Sequence, residues 1–471
     1  MSADPEPDLA EIHEIHIVGI GGAGMSAIGR VLHGWGKRVH GSDRRVSPIT
    51  EALQAEGIAV TVGHAAENVA GADLVLASSA VPDTNPELAA ARERGIRVAR
   101  RPEFLPELTD GYDVIAVAGA HGKTTVTGMT ASVLLTAGLD PTYIVGGVVL
   151  NLQTNGYAGS GRQFVIEADE YRRTFLALSP TLAVITNVEF DHPDCYPSMR
   201  HLRLAFGEFI DNIVSGGTLI ACGDDPVAHA LAASYHATGG RVVLYGMGTE
   251  AEYSWHARDI TANVAGGSSF TAVHEGEVVG RFDLQVPGEF NVVNALAVLG
   301  IAEELGIDRQ VMRQALQAYT GTARRFEVLG EVGGVTVIDD YAHHPTQIRG
   351  VLRAARRRYG ERRLVAVWEP HTFSRIRALR EEFMTSFGVA DQVLVMPIYA
   401  AREADDGSLT AQDLALTMAH QAVQCAVSLD DAVTRLVAGT LPGDVVMLMG
   451  AGDEYTVGQR LVDALRQREL G

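Results

Sequence analysis

A short glycine loop, Gly119–Thr125, carries the side chains best suited to phosphate chemistry. An apolar run of strand length, residues 113–118, leads into it, and a helical pattern follows. In a strand–loop–helix arrangement, backbone N–H groups and the helix dipole face a bound anion, and Lys123 adds a full positive charge. The hydroxyl of Thr124 is placed to reach a magnesium ion. The loop is therefore predicted to bind the phosphates of a nucleotide.

The loop is shorter than the usual nucleotide-binding pattern, which has four residues between its first glycine and the Gly-Lys pair. Here only Ala120 and His121 lie between Gly119 and Gly122. An ordinary glycine-rich turn with an exposed lysine is the simpler alternative. The presence of magnesium ligands and substrate groups elsewhere in the chain decides between the two interpretations.

Two further strand patterns become polar at their carboxyl ends. Residues 163–166 lead into the acids of residues 167–170, and residues 182–186 lead into residues 187–194, which include His192. In a parallel sheet these ends meet beside the phosphate loop, where ligands bind. Carboxylates and an imidazole suit Mg²⁺, which keeps several waters and uses few protein ligands. Isolated acids at strand ends are also common solvated loop starts, so the prediction depends on both segments converging.

A glycine-rich segment near the start of the chain has the arrangement of a dinucleotide-binding fold. The strand pattern of residues 15–18 precedes it, and a helix with one apolar face follows it. A second strand pattern, residues 38–42, ends in Asp43, an acid placed to reach a ribose hydroxyl. The segment contains Gly19, Gly21, Gly22, Gly24, Met25 and Ser26. It predicts a diphosphate site, although a turn that serves packing alone has the same glycines.

Physical reasoning leaves the ligand of this first site open, because NAD, FAD and a UDP-sugar all carry a diphosphate. Ser78 and Ser79 follow the apolar strand 74–77 and are candidates to donate to a phosphate or a sugar. Residues 85–87 either share that role or cap the helix that begins at Pro86.

The pattern changes to short alternating runs between residues 241 and 286, including residues 242–245, which predicts an antiparallel extension of the middle domain. A helix then opens after Pro287, with Asn291 and Asn294 on one face. Two amides at this spacing can read the edge of an adenine ring. N-terminal capping is the simpler role for Asn291.

Apolar strands alternate with helical patterns in the last third of the chain, which predicts a parallel doubly wound domain. Polar residues again follow the strands. His343 and His344 are a candidate pair of transition-metal ligands, but they lack a cysteine partner and magnesium chemistry is predicted nearby, and both points argue against such a site. The three arginines at residues 356–358 lie within a helix and are interpreted as a solvated face.

The composition limits the classes of partner. The 471 residues exceed one ordinary core, so about two to four domains are expected. A net charge of −20 argues against nucleic acid or an anionic membrane as the main partner. Three widely spaced cysteines suit a reducing cytosol. Residues 1–14 lack the apolar segment of a signal peptide, and no apolar run is long enough to span a membrane. We expect a cytoplasmic protein that is a monomer or a weak homodimer.

Taken in order, these motifs resemble those of the Mur ligase family across essentially the whole chain. The resemblance rests on residues 19–26, 119–125, 167–170, 187–192, 291–294, 324–327, 339–345 and 450–453. The chain departs from the family pattern at Tyr171–Arg173, at Phe290 and at Thr372.

The resemblance implies an α/β fold of three domains. These are a Rossmann-like UDP-sugar-binding domain over residues 1–109, a central P-loop ATPase-type domain with a small antiparallel extension over residues 110–321, and a C-terminal Rossmann-like domain over residues 322–471 that contributes amino-acid binding. It also implies an ATP-dependent ligase that joins L-alanine to the lactyl carboxylate of UDP-N-acetylmuramate through an acyl phosphate. This is the first amino-acid addition in cytoplasmic peptidoglycan precursor synthesis. The ligand of the first site would then be UDP-N-acetylmuramate and not NAD.

The resemblance further implies roles for individual residues. It assigns Mg²⁺ to Thr124 and Glu167, with a second site at His192. It assigns catalysis to Lys123, His192, His343 and Arg375. It assigns ATP to Gly119, His121, Gly122, Lys123, Thr124, Thr125, Asn291, Asn294, Arg324 and Arg325. It assigns the UDP-sugar and alanine to Gly19, Gly21, Gly22, Gly24, Met25, Ser26, Asp43, Ser78, Ser79, Tyr341, His343 and Arg375.

Three alternative functions stay open at this point. A ligase that adds a whole peptide in murein recycling is the near neighbour within the ligase class, although the loop of residues 21–26 favours a single amino acid. An NAD-dependent oxidoreductase would use the first glycine segment but leaves Lys123, Glu167 and His192 without a purpose. A nucleotide-regulated binding protein without catalysis would not need Arg375.

Overall fold

The computed structural model describes residues 9–248, 253–405 and 407–470. Three separate β-sheets follow one another along the chain, which confirms the predicted three-domain α/β architecture. The domain boundaries at residues 109/110 and 321/322 stay a prediction. The acidic residues 1–8, on which the expectation of no signal peptide partly rests, lie outside the described residues.

The N-terminal domain contains a five-stranded parallel sheet with strand order β3-β2-β1-β4-β5. Its elements are β1 (Glu14–Val18), α1 (Ala23–Gly34), β2 (Arg38–Asp43), α2 (Pro48–Ala55), β3 (Ala59–Val62), β4 (Leu74–Ala77), α3 (Pro86–Glu93), β5 (Arg97–Arg100) and α4 (Arg101–Leu108), with 3₁₀ turns at Leu9–Glu11 and Ala66–Val69. The Asn85 side chain caps α3 by accepting a hydrogen bond from the Glu87 N–H at 2.8 Å, so the capping role proposed for residues 85–87 is confirmed.

The middle domain contains a ten-stranded mixed sheet with order β15-β14-β13-β12-β11-β10-β6-β9-β7-β8. Its elements are β6 (Asp113–Ala118), α5 (Lys123–Thr136), β7 (Thr142–Val149), β8 (Thr154–Tyr157), β9 (Gln163–Glu167), a 3₁₀ segment (Tyr171–Ala177), β10 (Leu182–Ile185), α6 (Met199–Asp211), β11 (Thr218–Cys222), α7 (Pro226–Ala237), β12 (Arg241–Gly246), β13 (Trp255–Ala262), β14 (Ser268–His274), β15 (Glu277–Leu284), α8 (Glu289–Glu304) and α9 (Arg309–Ala318). The strands β10, β6 and β9 are adjacent and parallel, so their carboxyl ends share one edge, as predicted.

The C-terminal domain contains a six-stranded sheet with order β16-β17-β21-β18-β19-β20. Its elements are β16 (Glu327–Val332), β17 (Val335–Asp340), α10 (Pro345–Tyr359), β18 (Leu364–Trp368), α11 (Phe373–Ala378), α12 (Arg380–Met384), β19 (Gln392–Val395), α13 (Ala411–Thr417), β20 (Val423–Cys425), α14 (Leu429–Gly439), β21 (Val445–Met449) and α15 (Glu454–Leu470). All of its strands are parallel except β16, which forms a hairpin with β17 across Gly333 and Gly334.

Two expectations about local structure are wrong. Residues 242–245 belong to β12, which pairs in parallel with both β11 and β13, so the antiparallel extension comprises β13–β15 only. Asn291 does not cap α8, because Gly288 is the N-cap. The Asn291 side-chain amide instead donates to the Pro287 carbonyl at 2.8 Å.

The arginine run in α10 is also not uniformly solvated. The Arg356 guanidinium donates to the carbonyls of Gly360 and Val389 and to the Asp391 carboxylate at 2.6 Å. These contacts hold α10 against the loop that precedes β19. The interpretation as a solvated face therefore fails for Arg356.

The N-terminal domain docks on the middle domain through close backbone packing. A side chain at Gly156 in β8 would meet the backbone of Ala27 in α1, so α1 lies directly on this strand. The buried Arg30 of α1 donates to the Asn155 side chain. One continuous cluster of buried apolar residues runs from the first domain into the second. These two domains therefore share part of their core.

A buried polar network lies inside the N-terminal domain, behind the glycine segment. Glu87 is fully buried, and its carboxylate accepts a hydrogen bond from the Ser42 hydroxyl at 2.6 Å. His64 Nδ1 lies 3.0 Å and His16 Nε2 3.6 Å from the same oxygen, and the Asn68 amide donates to the other. Burial alone would raise the pKa of Glu87, but His16, Ser42 and Asn68 lower it to about 2.

Replacement of Glu87 by glutamine should therefore destabilise the N-terminal domain in a pH-dependent way. The pKa of Glu87 falls from 4.5 to about 2 on folding, so its contribution, roughly 3 kcal/mol, is complete above pH 4.5 and disappears as the pH falls towards 2. Hydrogen exchange of peptides covering β1 and β2 measures local opening. Faster exchange in Glu87→Gln than in wild type is expected at pH 7, with a smaller difference near pH 3. A difference that grows on acidification would contradict the assignment.

Candidate active site

The glycine loop joins the carboxyl end of β6 to the amino end of α5. Gly119 has φ +138° and Gly122 has φ +86°, a region that side chains other than glycine rarely adopt. A Cβ atom on Gly119 would collide with the Thr186 hydroxyl, and one on Gly122 would approach the Asn294 side-chain oxygen. Both glycines are therefore required by backbone angle and by space.

The carboxyl end of β10 supports this loop through Asn187. The Asn187 carbonyl accepts from the Ala120 N–H at 3.0 Å, and its side-chain oxygen accepts from the His121 N–H at 2.9 Å. The Asn187 amide also donates to the His121 carbonyl at 3.0 Å. Gly122 caps α5 without a side chain, so the first N–H groups of this helix face the loop. This arrangement suits an anion.

Lys123 extends from the first residue of α5 back across the loop. Its ammonium group donates to the Glu170 carboxylate at 2.7 Å and to the Gly119 carbonyl. Burial would lower the pKa of Lys123, but the nearby carboxylates of Glu170, Asp169 and Glu167 raise it above its ordinary value. Lys123 is therefore a charged donor held at the centre of the loop.

The two residues predicted to hold the first magnesium ion lie side by side. The Thr124 hydroxyl donates to Glu167 at 3.1 Å, and the second Glu167 oxygen accepts from the Gly146 N–H at 2.7 Å. The Arg325 guanidinium, from the segment before β16, lies 3.4 Å from the Thr124 hydroxyl. The positive charge of Arg325, which precedes the first strand of the C-terminal domain, therefore lies beside the glycine loop of the middle domain.

His192 follows β10 with φ +55°, an uncommon angle for a residue other than glycine. Its Nε2 atom lies 3.7 Å from the Glu170 carboxylate. Its Nδ1 atom is buried and has no hydrogen-bond partner among the described residues. A buried ring nitrogen without a partner fits a site that receives a ligand or a metal ion.

A buried charge cluster joins the middle and C-terminal domains. Arg375 of α11 donates to Asp191 at 2.6 Å, and its guanidinium also contacts His371 Nδ1 at 2.8 Å. His343 Nε2 lies 3.7 Å from the same aspartate. Burial would raise the pKa of Asp191, but Arg375 and the neighbouring histidines keep it well below its ordinary value. Burial and Arg375 lower the pKa of His343 to about 3, so its ring is neutral at pH 7.

A second cross-domain contact connects the glycine loop to α10. The His121 ring lies 2.9 Å from the Gln347 amide nitrogen through Nδ1 and 2.8 Å from Glu189 through Nε2. The Gln347 side-chain oxygen accepts from the N–H groups of His343 and His344 at 3.0 and 3.1 Å. Gln347 therefore links the phosphate loop to the segment that bears His343.

The candidate pair His343 and His344 does not form a shared metal site. His343 faces Asp191, whereas His344 Nδ1 lies 3.7 Å from Glu189. Among the described residues, the group of three whose ligand atoms lie close enough to share an ion is His121, Glu189 and His344. His344 Nδ1 in this group already accepts from the Thr346 N–H at 3.3 Å, as a helix cap.

A cavity of about 610 Å³ lies between the middle and C-terminal domains, next to the loop. Asn291, Asn294 and the partly exposed Phe290 line one wall, and Arg325 lines another. The Asn294 amide donates to the Asn291 side-chain oxygen at 3.2 Å. Both asparagines thus lie at the cavity, although part of their hydrogen-bonding capacity is used internally.

Arg324 does not line this cavity. Its guanidinium contacts the buried carboxylates of Glu454 and Asp339, the latter at 3.3 Å, and lies 5.0 Å from the Tyr341 ring. The Arg325 guanidinium lies 5.0 Å from the same ring. Of these two arginines, Arg325 is the one that extends towards the glycine loop of residues 119–125. The nucleotide contact of Arg324 stays a prediction.

The glycine segment of the N-terminal domain, predicted to bind a diphosphate, leads into the amino end of α1. Gly22 is the N-cap of α1 and has no capping side chain. The Asp43 carboxylate accepts from the Gly21 N–H at 2.9 Å, so it supports the loop directly. The Ser26 hydroxyl donates to the Ala23 carbonyl at 2.9 Å and is buried. The predicted ribose contact of Asp43 stays a prediction.

The remaining residues predicted for this site lie around the same loop. Gly19 has φ +79° and its N–H donates to the Ser42 carbonyl at 2.8 Å. Met25 is buried in the core, so only its backbone is available to a ligand. The Ser78 hydroxyl accepts from the Ala80 N–H at 3.3 Å, and the Ser79 carbonyl accepts from Arg172 at 2.7 Å.

Three family models match the chain in succession. The model described as "Mur ligase family, catalytic domain" matches residues 14–113, "Mur ligase middle domain" matches residues 117–302, and "Mur ligase, glutamate ligase domain" matches residues 324–452. A UDP-N-acetylmuramate–L-alanine ligase of Salinibacter ruber is 43% identical over 98% of this chain and 96% of that protein. The chain belongs to the Mur ligase family.

Other Mur ligases agree with this membership. The enzyme of the same name from Frankia casuarinae is 42% identical over 96% of this chain and 97% of that protein. The crystal structure of UDP-N-acetylmuramate-alanine ligase MurC from Thermotoga maritima matches with a TM-score of 0.81 at 28% identity, covering 98% of this chain and 100% of that one. A murein peptide ligase from Psychrobacter arcticus matches with a TM-score of 0.75 at 28% identity, covering 96% and 99%.

Several residues that contact the predicted site residues of this Mur ligase are not singled out individually by the sequence analysis. They are Glu170, Glu189, Asp191 and Gln347. The three acids lie in the polar strand ends that the sequence does predict, so their neighbourhood is a usable signal. Gln347 gives no such signal, since it is an ordinary glutamine in the first turn of a helix. None of the helices in the described parts of this Mur ligase is both long and apolar enough to cross a membrane.

Replacement of Asp191 by asparagine should separate the C-terminal domain from the middle domain. Breaking a buried ion pair at one partner costs about 3–5 kcal/mol, and Arg375 can avoid this cost only by moving into water. We expect a larger radius of gyration by small-angle X-ray scattering. The double variant Asp191→Asn/Arg375→Gln should lie closer to wild type. Arg402→Gln is the control, because its pair with Asp194 is more exposed and such pairs contribute about 0–1 kcal/mol. An unchanged radius in Asp191→Asn would contradict the prediction.

Proposed function

We propose that this chain joins L-alanine to the lactyl carboxylate of UDP-N-acetylmuramate, with ATP as the energy source. The reaction would be the first amino-acid addition in cytoplasmic peptidoglycan precursor synthesis. Relatives at 42–43% identity over nearly the full chain carry the name of this ligase. The observation that supports the chemistry most directly is the charged Lys123, held in an open glycine loop beside the Thr124–Glu167 pair.

Amide formation from a carboxylate and an amine is unfavourable in water, so the carboxylate must first be activated. In the proposed reaction, a lactyl carboxylate oxygen attacks the γ-phosphorus of ATP, and ADP leaves. The amine of alanine then attacks the carbonyl carbon of the acyl phosphate, and inorganic phosphate leaves. Lys123 and the N–H groups at the start of α5 stabilise the charge that spreads over the transferring phosphoryl group.

The nucleotide is proposed to lie in the cavity between the middle and C-terminal domains. Its phosphates would lie along residues 119–125 and its base against Asn291 and Asn294. The cavity volume of about 610 Å³ falls within the range of small-molecule sites, about 300–1,000 Å³. Arg325 supplies a cation close to the Thr124 hydroxyl, and Arg324 would complete the pair on domain movement.

The C-terminal charge cluster is proposed to receive the amino acid. Arg375 carries the charge that pairs with a carboxylate or an acyl phosphate, and Tyr341 lies beside His343. The amine must lose a proton before it attacks. His343 is neutral and therefore free to accept one, although its pKa of about 3 makes it a weak base in this arrangement.

The residues present fit magnesium. Thr124 and Glu167 offer adjacent oxygen ligands, and His192 offers a buried nitrogen that lacks a partner in the described parts of the chain. We assign one ion to Thr124 and Glu167 and a second to His192. Bound Mg²⁺ supplies positive charge that offsets the charge of the phosphates.

The partners are therefore small molecules: ATP, L-alanine and UDP-N-acetylmuramate. A cytoplasmic location follows from the reaction, since ATP and the UDP-sugar are intracellular substrates. The three cysteines are free, which agrees with a reducing compartment. A monomer or weak homodimer stays our proposal for the assembly.

Phosphate release tests this function directly. We expect turnover with ATP, UDP-N-acetylmuramate and L-alanine together, and little when any one is left out. Lys123→Ala should reduce the rate by at least about 10²–10³-fold, because it removes a preorganised charge at the transferring phosphoryl group. Binding of the UDP-sugar, measured by calorimetry, should be unchanged.

The chain offers a matched control, because Lys37 is its only other lysine. Lys37 donates to the Leu9 and Ile12 carbonyls in the N-terminal domain, so Lys37→Ala should keep the wild-type rate. Wild-type turnover in Lys123→Ala would overturn the assignment. A panel with serine, glycine and the cell-wall tripeptide separates the proposed ligase from a recycling enzyme. Faster turnover with the tripeptide would favour the latter.

Replacement of Glu167 by glutamine should raise the Mg²⁺ concentration needed for half-maximal turnover by at least about tenfold, in the range seen when metal-site partners are lost. Direct Mn²⁺ binding, followed by electron paramagnetic resonance, should weaken in parallel. Glu208→Gln is the control, because this exposed acid pairs with Arg173 on the surface of the same domain. Equal Mn²⁺ affinity in wild type and Glu167→Gln would rule out the proposed ligand.

A further inference from the structure

Arg101 occupies the space between the two predicted substrate sites. It is the first residue of α4, and its guanidinium packs against the glycine segment: a Cβ atom on Gly24 would lie 3.0 Å from Nη1. The same Nη1 atom lies 3.7 Å from the Asp169 carboxylate, at the end of β9 in the middle domain. The side chain therefore reaches from the diphosphate cradle to the acids beside Lys123.

The hydrogen-bonding groups of Arg101 have no partners within the described residues. The side chain is 16% exposed, its Nε atom is buried without a partner, and its nearest carboxylate is beyond hydrogen-bond distance. Other buried arginines here are paired: Arg30 donates to Glu56 at 2.7 Å and Arg375 to Asp191 at 2.6 Å. Leaving the buried Nε–H donor without a hydrogen-bond partner costs free energy. This points to a missing anionic partner.

We propose that Arg101 is a substrate-binding residue that donates hydrogen bonds to an anionic oxygen group of the UDP-sugar. This inference rests on the proposed function, because it takes the ligand of the glycine segment to be UDP-N-acetylmuramate. The N-terminus of α1 has no side-chain cap and attracts the same kind of group. Two parts of the substrate have this chemistry, namely the diphosphate and the lactyl carboxylate.

The geometry indicates that Asp169 orients the Arg101 guanidinium and does not compete with a ligand for its N–H groups. At 3.7 Å it attracts the guanidinium without using a hydrogen bond, so a ligand can occupy the N–H groups without breaking one. The position also bears on Gly24, since a Cβ atom there would make a tight contact of 3.0 Å with Nη1 and require the guanidinium to shift slightly. Arginine suits this role because its planar fork matches phosphate and carboxylate oxygens.

Calorimetric binding of UDP, UDP-N-acetylglucosamine and UDP-N-acetylmuramate, without ATP or metal, tests the proposal in the full chain. Arg101→Ala should weaken UDP-N-acetylmuramate binding by about 10- to 100-fold, as expected for a lost charged hydrogen bond. An equal loss for all three ligands identifies the diphosphate as the partner. A loss confined to UDP-N-acetylmuramate identifies the lactyl carboxylate. Arg101→Gln repeats the measurement if the alanine variant does not fold.

Two controls separate binding from structural support. Arg97→Ala removes another largely buried arginine, which pairs with Glu107 at the opposite end of β5, and should bind all three ligands like wild type. Asp169→Asn removes the orienting charge but should keep most of the affinity for UDP. If Arg101 had a purely structural role, Asp169→Asn and Arg101→Ala would lose the same affinity. Wild-type affinity in Arg101→Ala and Arg101→Gln, or an equal loss in Arg97→Ala, overturns the inference. Failure of the wild-type chain to bind UDP-N-acetylmuramate would instead overturn the proposed function.

Discussion

The ammonium group of Lys123 lies largely out of solvent, and the site around it is built to balance that charge. Glu170 provides the counter-charge at 2.7 Å, with Glu167 and Asp169 close behind. These acids lie at the carboxyl end of β9 and in the residues directly after it, so the strand ends beside the loop. A buried ion pair adds little stability on its own, since desolvation offsets most of the attraction. Its value lies in placing a cation where an incoming phosphate can replace the carboxylate.

The N-terminal and C-terminal domains contact the middle domain in different ways. The N-terminal domain shares an apolar core with the middle domain, and α1 lies directly against β8. The C-terminal domain keeps its own apolar clusters, and Phe190 is the middle-domain hydrophobic residue packed against them. Its other contacts at the site are charged or polar, above all Asp191 with Arg375. We therefore expect the C-terminal domain, which shares no apolar core with the middle domain in the described parts of the chain, to be the one that moves when substrates bind.

The sequence predicts the parts of this arrangement that depend on local pattern. The glycine loops and the polar strand ends follow from hydrophobic period and turn residues, whereas the three-domain α/β order is implied by the resemblance to the Mur ligase family. What escapes it depends on tertiary contact. The pairing of β12 in parallel with both neighbours, the internal hydrogen bond of Asn291 and the buried contacts of Arg356 are set by packing between elements. Gln347 belongs to the same class, because its role exists only when α10 meets the loop.

The strongly acidic chain nevertheless places cations at its predicted substrate sites, each close to carboxylates, and this arrangement bears on how anionic substrates are proposed to bind. The net charge is −20, yet cations from all three domains converge on the junction: Arg101, Lys123 and Arg325. Lys123 pairs with a carboxylate that follows a strand, whereas the buried Nε atom of Arg101 has no hydrogen-bond partner among the described residues. Anionic substrates can therefore replace protein carboxylates at several points without leaving a cation unpaired.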